Sequence, residues 1–184
     1  MTRPPPHQNI PDDWSVRDGL ADYLDENGFD TRNYDDDRVT VNFWGIRFPL
    51  ANPPSRKMAI RYHDLHHVMT GYGTDPTGEA EISAWELRGG IGVFGLYVRL
   101  IIFSGACLGL LHSPRRTWRA WKAAREIARF PTPTLAHYAH LLTLSVGELR
   151  TLYGVRSGGV ATVKGLHRDA PPREPPTTER SAPR

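Results

Sequence analysis

Residues 62–81 read Tyr-His-Asp-Leu-His-His-Val-Met-Thr-Gly-Tyr-Gly-Thr-Asp-Pro-Thr-Gly-Glu-Ala-Glu. Up to Gly71 the period is helical, because Met58, Tyr62, Leu65 and Met69 fall on one stripe. Gly71 and Gly73 break that helix, and Asp75-Pro76 then supplies the N-cap and first-turn proline of a second one. This second helix carries Glu79, Ile82, Trp85, Glu86 and Leu87 as far as Gly89-Gly90. Two consecutive helices joined by a short glycine-rich connection fold back beside each other, and that pair organises the chain.

The same stretch carries chemistry. His63 and His67 are four positions apart, so on a helix their Cβ atoms lie about 5–6 Å from each other and both rings can reach one divalent ion. Asp64 is turned by about 100° from His63, where it can ligate at the rim or orient an imidazole from outside the ligand set. Glu79, in the first turn of the next helix, completes a set of two imidazoles and two carboxylates with a position left for water or substrate. The expected metal site is therefore His63, Asp64, His67 and Glu79. His66 faces another side and is given no ligand role, and Glu81 and Glu86 are candidates for a proton donor.

Outward from this pair, Val39, Val41 and Phe43 alternate with polar residues, and Ile46, Phe48 and Leu50 resume the alternation after Trp44-Gly45. That is a β-hairpin, closed by Pro53-Pro54. Trp14 to Asn27 reads as an amphipathic helix stopped by Gly28. Downstream, Ser113-Pro114 starts a helix reaching Arg129, residues 135–144 form another, and Ser145 with Glu148 has the spacing of a capping box. The fold class is mainly α: a single helical domain over residues 12–165, with one short hairpin and the metal site between two consecutive helices. Residues 1–11 and 166–184 are too poor in apolar side chains to offset the entropy of ordering and read as disordered tails.

Residues 89–111 are almost wholly apolar, long enough to cross a bilayer. Against a span stand Arg99, whose burial in hydrocarbon costs about 2.5–3.5 kcal/mol, and six glycines that lower helical tendency. The segment reads instead as a helix buried in the core, with a glycine break near Ser104-Gly105, ahead of the alternative of a helix lining a cavity for a long apolar ligand. In the next helix Arg115, Arg119, Lys122 and Arg129 project to one side beside Trp118, as a helix resting on lipid headgroups requires. The same cations could contact nucleic acid phosphates, but no base-reading motif accompanies them, so a membrane surface is the expected partner and nucleic acid is not.

Composition narrows the rest. At 184 residues with 39% apolar side chains and five Trp, the chain suits one core. Cys107 is the single cysteine, which excludes an intramolecular disulfide and a cysteine-rich zinc site. The start of the sequence lacks the apolar stretch of a secretory signal, so the expected location is the cytoplasm, peripheral to a membrane. A homodimer is compatible with the chain.

Residues 62–81 resemble the signature of the coenzyme Q biosynthesis protein 4 family, written H-D-x-x-H-x(11)-E. His63, Asp64, His67 and Glu79 match its positions with the same eleven-residue gap, and the clear resemblance covers about residues 56–90. It implies that these four residues bind zinc or a similar divalent ion at the mouth of a pocket for a polyprenylated aromatic ring, a quinone precursor. It implies a reaction class, replacement of a ring carboxylate by hydroxyl in ubiquinone biosynthesis, and other biosynthetic enzymes as partners. The residues leave two alternatives open. One is a scaffold that holds a prenyl lipid without turning it over. The other is a metallohydrolase, for which His63-Asp64-x-x-His67 departs from the zincin pattern by a shortened acid, while the His63-Asp64 doublet of HD phosphohydrolases lacks a suitable upstream histidine.

Overall fold

The computed structural model describes residues 10–29, 34–43 and 46–161. Helix α1 (Val16–Asn27) starts one residue after Ser15, whose hydroxyl accepts from the Asp18 amide and stands in for the missing helical acceptor, and it stops at Gly28 in a left-handed conformation. Strands β1 (Arg38–Phe43) and β2 (Ile46–Ala51) pair antiparallel, from Arg38 opposite Ala51 to Phe43 opposite Ile46. The expected turn at Trp44-Gly45 lies outside the described residues.

Helix α2 (Pro54–Thr70) and helix α3 (Pro76–Gly89) are the expected pair. The Asp75 carboxylate accepts from the amides of Thr77 and Gly78, so α3 begins where the sequence places it. The connection is tight: a Cβ on Gly78 would meet the Gly73 carbonyl, so only glycine fits there. A short 3-10 helix (Ile91–Phe94) leads to α4 (Leu96–His112), followed by α5 (Pro114–Ala123), α6 (Leu135–Leu141) and α7 (Val146–Tyr153). The molecule is thus mainly helical with one two-stranded hairpin.

Helix α3 lies at the centre, packed on α2, α4 and α5, with Ile82 and Trp85 fully enclosed. Around them Leu65, Val68, Met69, Leu141, Val146 and Leu149 complete a continuous core. The capping box of α7 is present: Ser145 Oγ accepts from the Glu148 amide at 3.1 Å while Glu148 Oε2 accepts from the Ser145 amide at 2.7 Å. Arg150, 1% exposed, donates from Nε to the Met69 carbonyl at 2.9 Å and from Nη2 to that of Val68 at 3.3 Å, capping the C-terminal end of α2. Its Nη1 donates to the Ile10 carbonyl and to Asp12.

Several expectations are corrected. Ile10, assigned to the N-terminal tail, is fully buried and packs beside Gly19; apart from Ile10 and Pro11 the two expected tails, residues 1–11 and 166–184, lie outside the described residues. Helix α4 runs unbroken through Ser104-Gly105, because Gly105 and Gly109 serve close packing instead: a Cβ on Gly105 would meet Ser83 Oγ at 2.5 Å, and one on Gly109 would meet Ala80 and, at 2.7 Å, Thr117 Oγ1. Nor is α4 a core helix, for it buries only Val98, Ile102, Ala106 and Gly109, and leaves Leu96, Leu100, Phe103 and Leu111 at least half exposed. Among the described residues no helix is long and apolar enough to cross a membrane. Helix α5 ends at Ala123, so Arg129 lies beyond it in the irregular connection to α6, which ends at Leu141.

Candidate metal centre

Because α2 is regular from Pro54 to Thr70, His63 and His67 occupy one face a turn apart. The back-to-back contact of Gly78 with Gly73 brings the first turn of α3, and with it Glu79, over that face. His63 Nε2 and His67 Nε2 are 3.1 Å apart. Glu79 Oε2 is 3.4 Å from the first and Oε1 is 3.6 Å from the second. Ligands about 2.0–2.1 Å from a tetrahedral zinc ion lie roughly 3.3–3.4 Å from each other, so both imidazole nitrogens and the carboxylate stand at the spacing of neighbouring ligands, with a different Glu79 oxygen nearest each ring. These three residues can hold a metal ion: their donor atoms all lie within 4.8 Å of one another.

Hydrogen bonds from behind the rings fix which nitrogens face inward. His67 Nδ1 is 2.9 Å from the Tyr72 carbonyl, which can only accept, so Nδ1 carries the hydrogen and Nε2 the lone pair. His63 Nδ1 is 2.9 Å from Glu86 Oε1. Each candidate ligand thus has its second nitrogen occupied by an oxygen acceptor, the usual arrangement behind a metal-bound imidazole. His67 is fully buried while His63 and Glu79 are 22% and 32% exposed, so the cluster opens to the surface on one side.

The electrostatics follow from burial and neighbours. Burial disfavours the charge on Glu86, but the His63 charge and hydrogen bonds from His63 and His66 outweigh it and hold the carboxyl well below its usual range. Burial likewise works against a charged His63, and Glu86 and Glu79 together raise it well above the ordinary imidazole value. His67 is depressed, first by burial.

Asp64 stands apart from the trio. The Tyr34 hydroxyl donates to its Oδ2 and the Tyr23 hydroxyl to its Oδ1 at 3.4 Å. Burial raises the Asp64 carboxyl to about 6 against the opposing pull of His63 and the tyrosines. Tyr23 also stacks on the His67 ring, with centroids 5.3 Å apart. Asp64, expected among the ligands, is thus held by two tyrosine hydroxyls and is not one of the residues whose donor atoms converge. Of the proposed proton donors, Glu81 is turned to α5, where Arg116 binds both its oxygens at 3.0 and 2.7 Å, and Glu86 is enclosed behind His63.

Three contributors went unread in the sequence. His66, 2% exposed, reaches the same Glu86 Oε1 at 2.6 Å. Its position three residues after His63, with Glu86 two helical turns after Glu79, was a detectable signal. Tyr23 and Tyr34 gave none, since they arrive from elements remote in the chain. A depression of about 600 Å3 lined by Asp12, His140 and Leu152, and one of about 490 Å3 lined by Asn52, Lys57 and Tyr97, both lie away from the trio. No protein-family model, curated protein or solved structure matches this chain.

Proposed function

We propose that this protein holds a divalent cation, zinc in the first instance, on His63, His67 and Glu79 and uses it on the oxygen groups of a polyprenylated aromatic quinone precursor at a membrane surface. The observation that carries this is the convergence of two Nε2 atoms 3.1 Å apart on the Glu79 carboxylate, with both Nδ1 atoms occupied from behind. The H-D-x-x-H-x(11)-E resemblance supports the substrate class. A bound divalent ion supplies Lewis acidity toward a ring carboxylate or phenol oxygen. His63 and His67 orient it, Glu79 brings negative charge, and Tyr23 with Asp64 keeps the His67 ring in place. Replacement of a ring carboxylate by hydroxyl is oxidative and draws its oxidant from outside the chain.

Membrane contact is supported by the outer face of α4 and by charge. From Leu87 to Arg125 the chain contains no Asp or Glu but carries Arg88, Arg99, Arg115, Arg116, Arg119, Lys122 and Arg125. Lys122 lies over the exposed Trp118 ring at 5.9 Å. With Arg116 paired to Glu81, an apolar helix face bordered by the remaining cations suits an anionic bilayer. It disfavours a two-fold contact of α4 with its own copy, which would set like charges against each other.

A non-catalytic prenyl-lipid holder is the second possibility, favoured by the engagement of Asp64, Glu81 and Glu86 with other residues, which leaves none of the three free as a proton donor. The same engagement of Asp64 removes the base a zincin-like hydrolase would need. Mass spectrometry of lipid extracted from the purified protein, followed by a turnover assay on that lipid, decides among these. A prenylated aromatic acid that is converted supports the enzyme, bound but unconverted lipid supports the holder, and the absence of any prenylated lipid contradicts both.

A further inference from the structure

We propose that Glu86 is a positioning residue: one carboxylate oxygen clamps the rings of His63 and His66 together and thereby fixes Nε2 of His63 as the nitrogen offered to the cation. This deepens the metal reading above and rests on it. Glu86 is fully buried, and Oε1 takes both Nδ1 atoms, that of His63 at 2.9 Å and that of His66 at 2.6 Å. Among the described residues Oε2 is buried with no hydrogen-bond partner. A buried carboxylate oxygen without a partner is costly on its own, and the two imidazoles gathered on Oε1 are what offset that cost.

His66 explains why the oxygen stays where it is. Its ring is stacked on Phe130, with centroids 4.5 Å apart and planes 18° from parallel, and meets the Trp85 ring edge-on at 5.4 Å. A fixed donor thus holds the Glu86 oxygen, and the oxygen holds His63. Without it either His63 nitrogen could carry the hydrogen and the ring could turn about its bond to Cβ.

The test is a competition titration of zinc between a chromogenic chelator and the full-length protein, wild type against Glu86→Gln, with thermal melts to establish that both are folded. Gln keeps the shape and removes the charge. The clamp predicts that Glu86→Gln binds zinc about 10- to 100-fold more weakly, the loss usual for a residue supporting a metal-bound histidine. A second readout, long-range 1H–15N spectra of the zinc-loaded wild type with His63 assigned through His63→Gln, keeps the proposal open to refutation if Glu86→Gln does not fold. It should show His63 bound through Nε2 with a hydrogen-bonded proton on Nδ1. Equal zinc affinity of folded Glu86→Gln and wild type, or His63 bound through Nδ1, overturns the clamp while leaving the metal site intact. A wild-type protein that takes up no zinc overturns the metal site itself.

Discussion

Arg150 carries a full charge at a position 1% exposed, where its guanidinium ties Met69, Val68 and Ile10 carbonyls to one point. Burying a charge is tolerated when its donors find acceptors, and removing the guanidinium takes this donor from those carbonyls and leaves Asp12 with Ser157 and Gly158 but no counter-charge. Arg150→Met is therefore expected to lower the unfolding free energy by about 3–5 kcal/mol, measured by urea denaturation, and to loosen residues 10–12 in hydrogen exchange. Its partner gives a pH dependence. Burial alone would raise the Asp12 carboxyl, but hydrogen bonds from Ser157 and Arg150, with the guanidinium charge, leave it below its ordinary value of 3.8. Just below that value the unfolded chain then binds more protons than the folded one, so this contribution is present above it and is lost as pH falls through the folded pKa. Urea midpoints followed from about pH 5 to 2, the carboxylate range, should fall more steeply for the wild type than for Asp12→Asn; parallel slopes would contradict the pairing. None of this was legible in the sequence, because Arg150 binds residues 81 and 140 positions away. Asp64 was legible only in part for the same reason: its tyrosine partners are 41 and 30 residues off. His63, His67 and Glu79 could be read because helical geometry alone determines how such near neighbours face one another.

At the scale of elements, local signals fared well wherever one side chain completes a helix end. Asp75, Ser145 and Glu148 cap as their spacing says. Glycine was harder, since its sequence signal does not distinguish a break from a close approach. Gly71 and Gly90 end helices in left-handed conformations, yet Gly105 and Gly109 lie inside α4 and let it approach α3 and α5. Gly78 is the case with consequences for the site, being the residue before Glu79 and in contact with the Gly73 carbonyl. Gly78→Ala must push the connection and the first turn of α3 apart. The expected cost is about 1–3 kcal/mol of overpacking, read as a lower melting temperature, with weaker metal binding because Glu79 moves with the turn. A variant as stable as wild type would show that the connection can give way without strain.

For the whole molecule, the mainly helical class followed from periodicity, but the exposure of α4 did not. An apolar run reads the same whether its partner is the protein's own core or something outside it; only the tertiary arrangement reveals that α4 offers a single narrow stripe inward. If the outer face rests on lipid, the wild type should sediment with vesicles containing anionic phospholipid and release them as salt rises. Leu100→Ser with Phe103→Ser should lower that partitioning by at least about ten-fold, since each buried side chain contributes roughly 1.5–3 kcal/mol, while leaving the melting temperature near that of wild type. Equal binding by the double variant would place the contact elsewhere. The claim on which the functional account depends is nevertheless the cation between α2 and α3. Its most direct measurement is metal stoichiometry by elemental mass spectrometry after equilibration with zinc, for wild type and for His67→Ala: one equivalent bound by the wild type and little by the variant is the predicted result, and no uptake by the wild type, or undiminished uptake by folded His67→Ala, would contradict it.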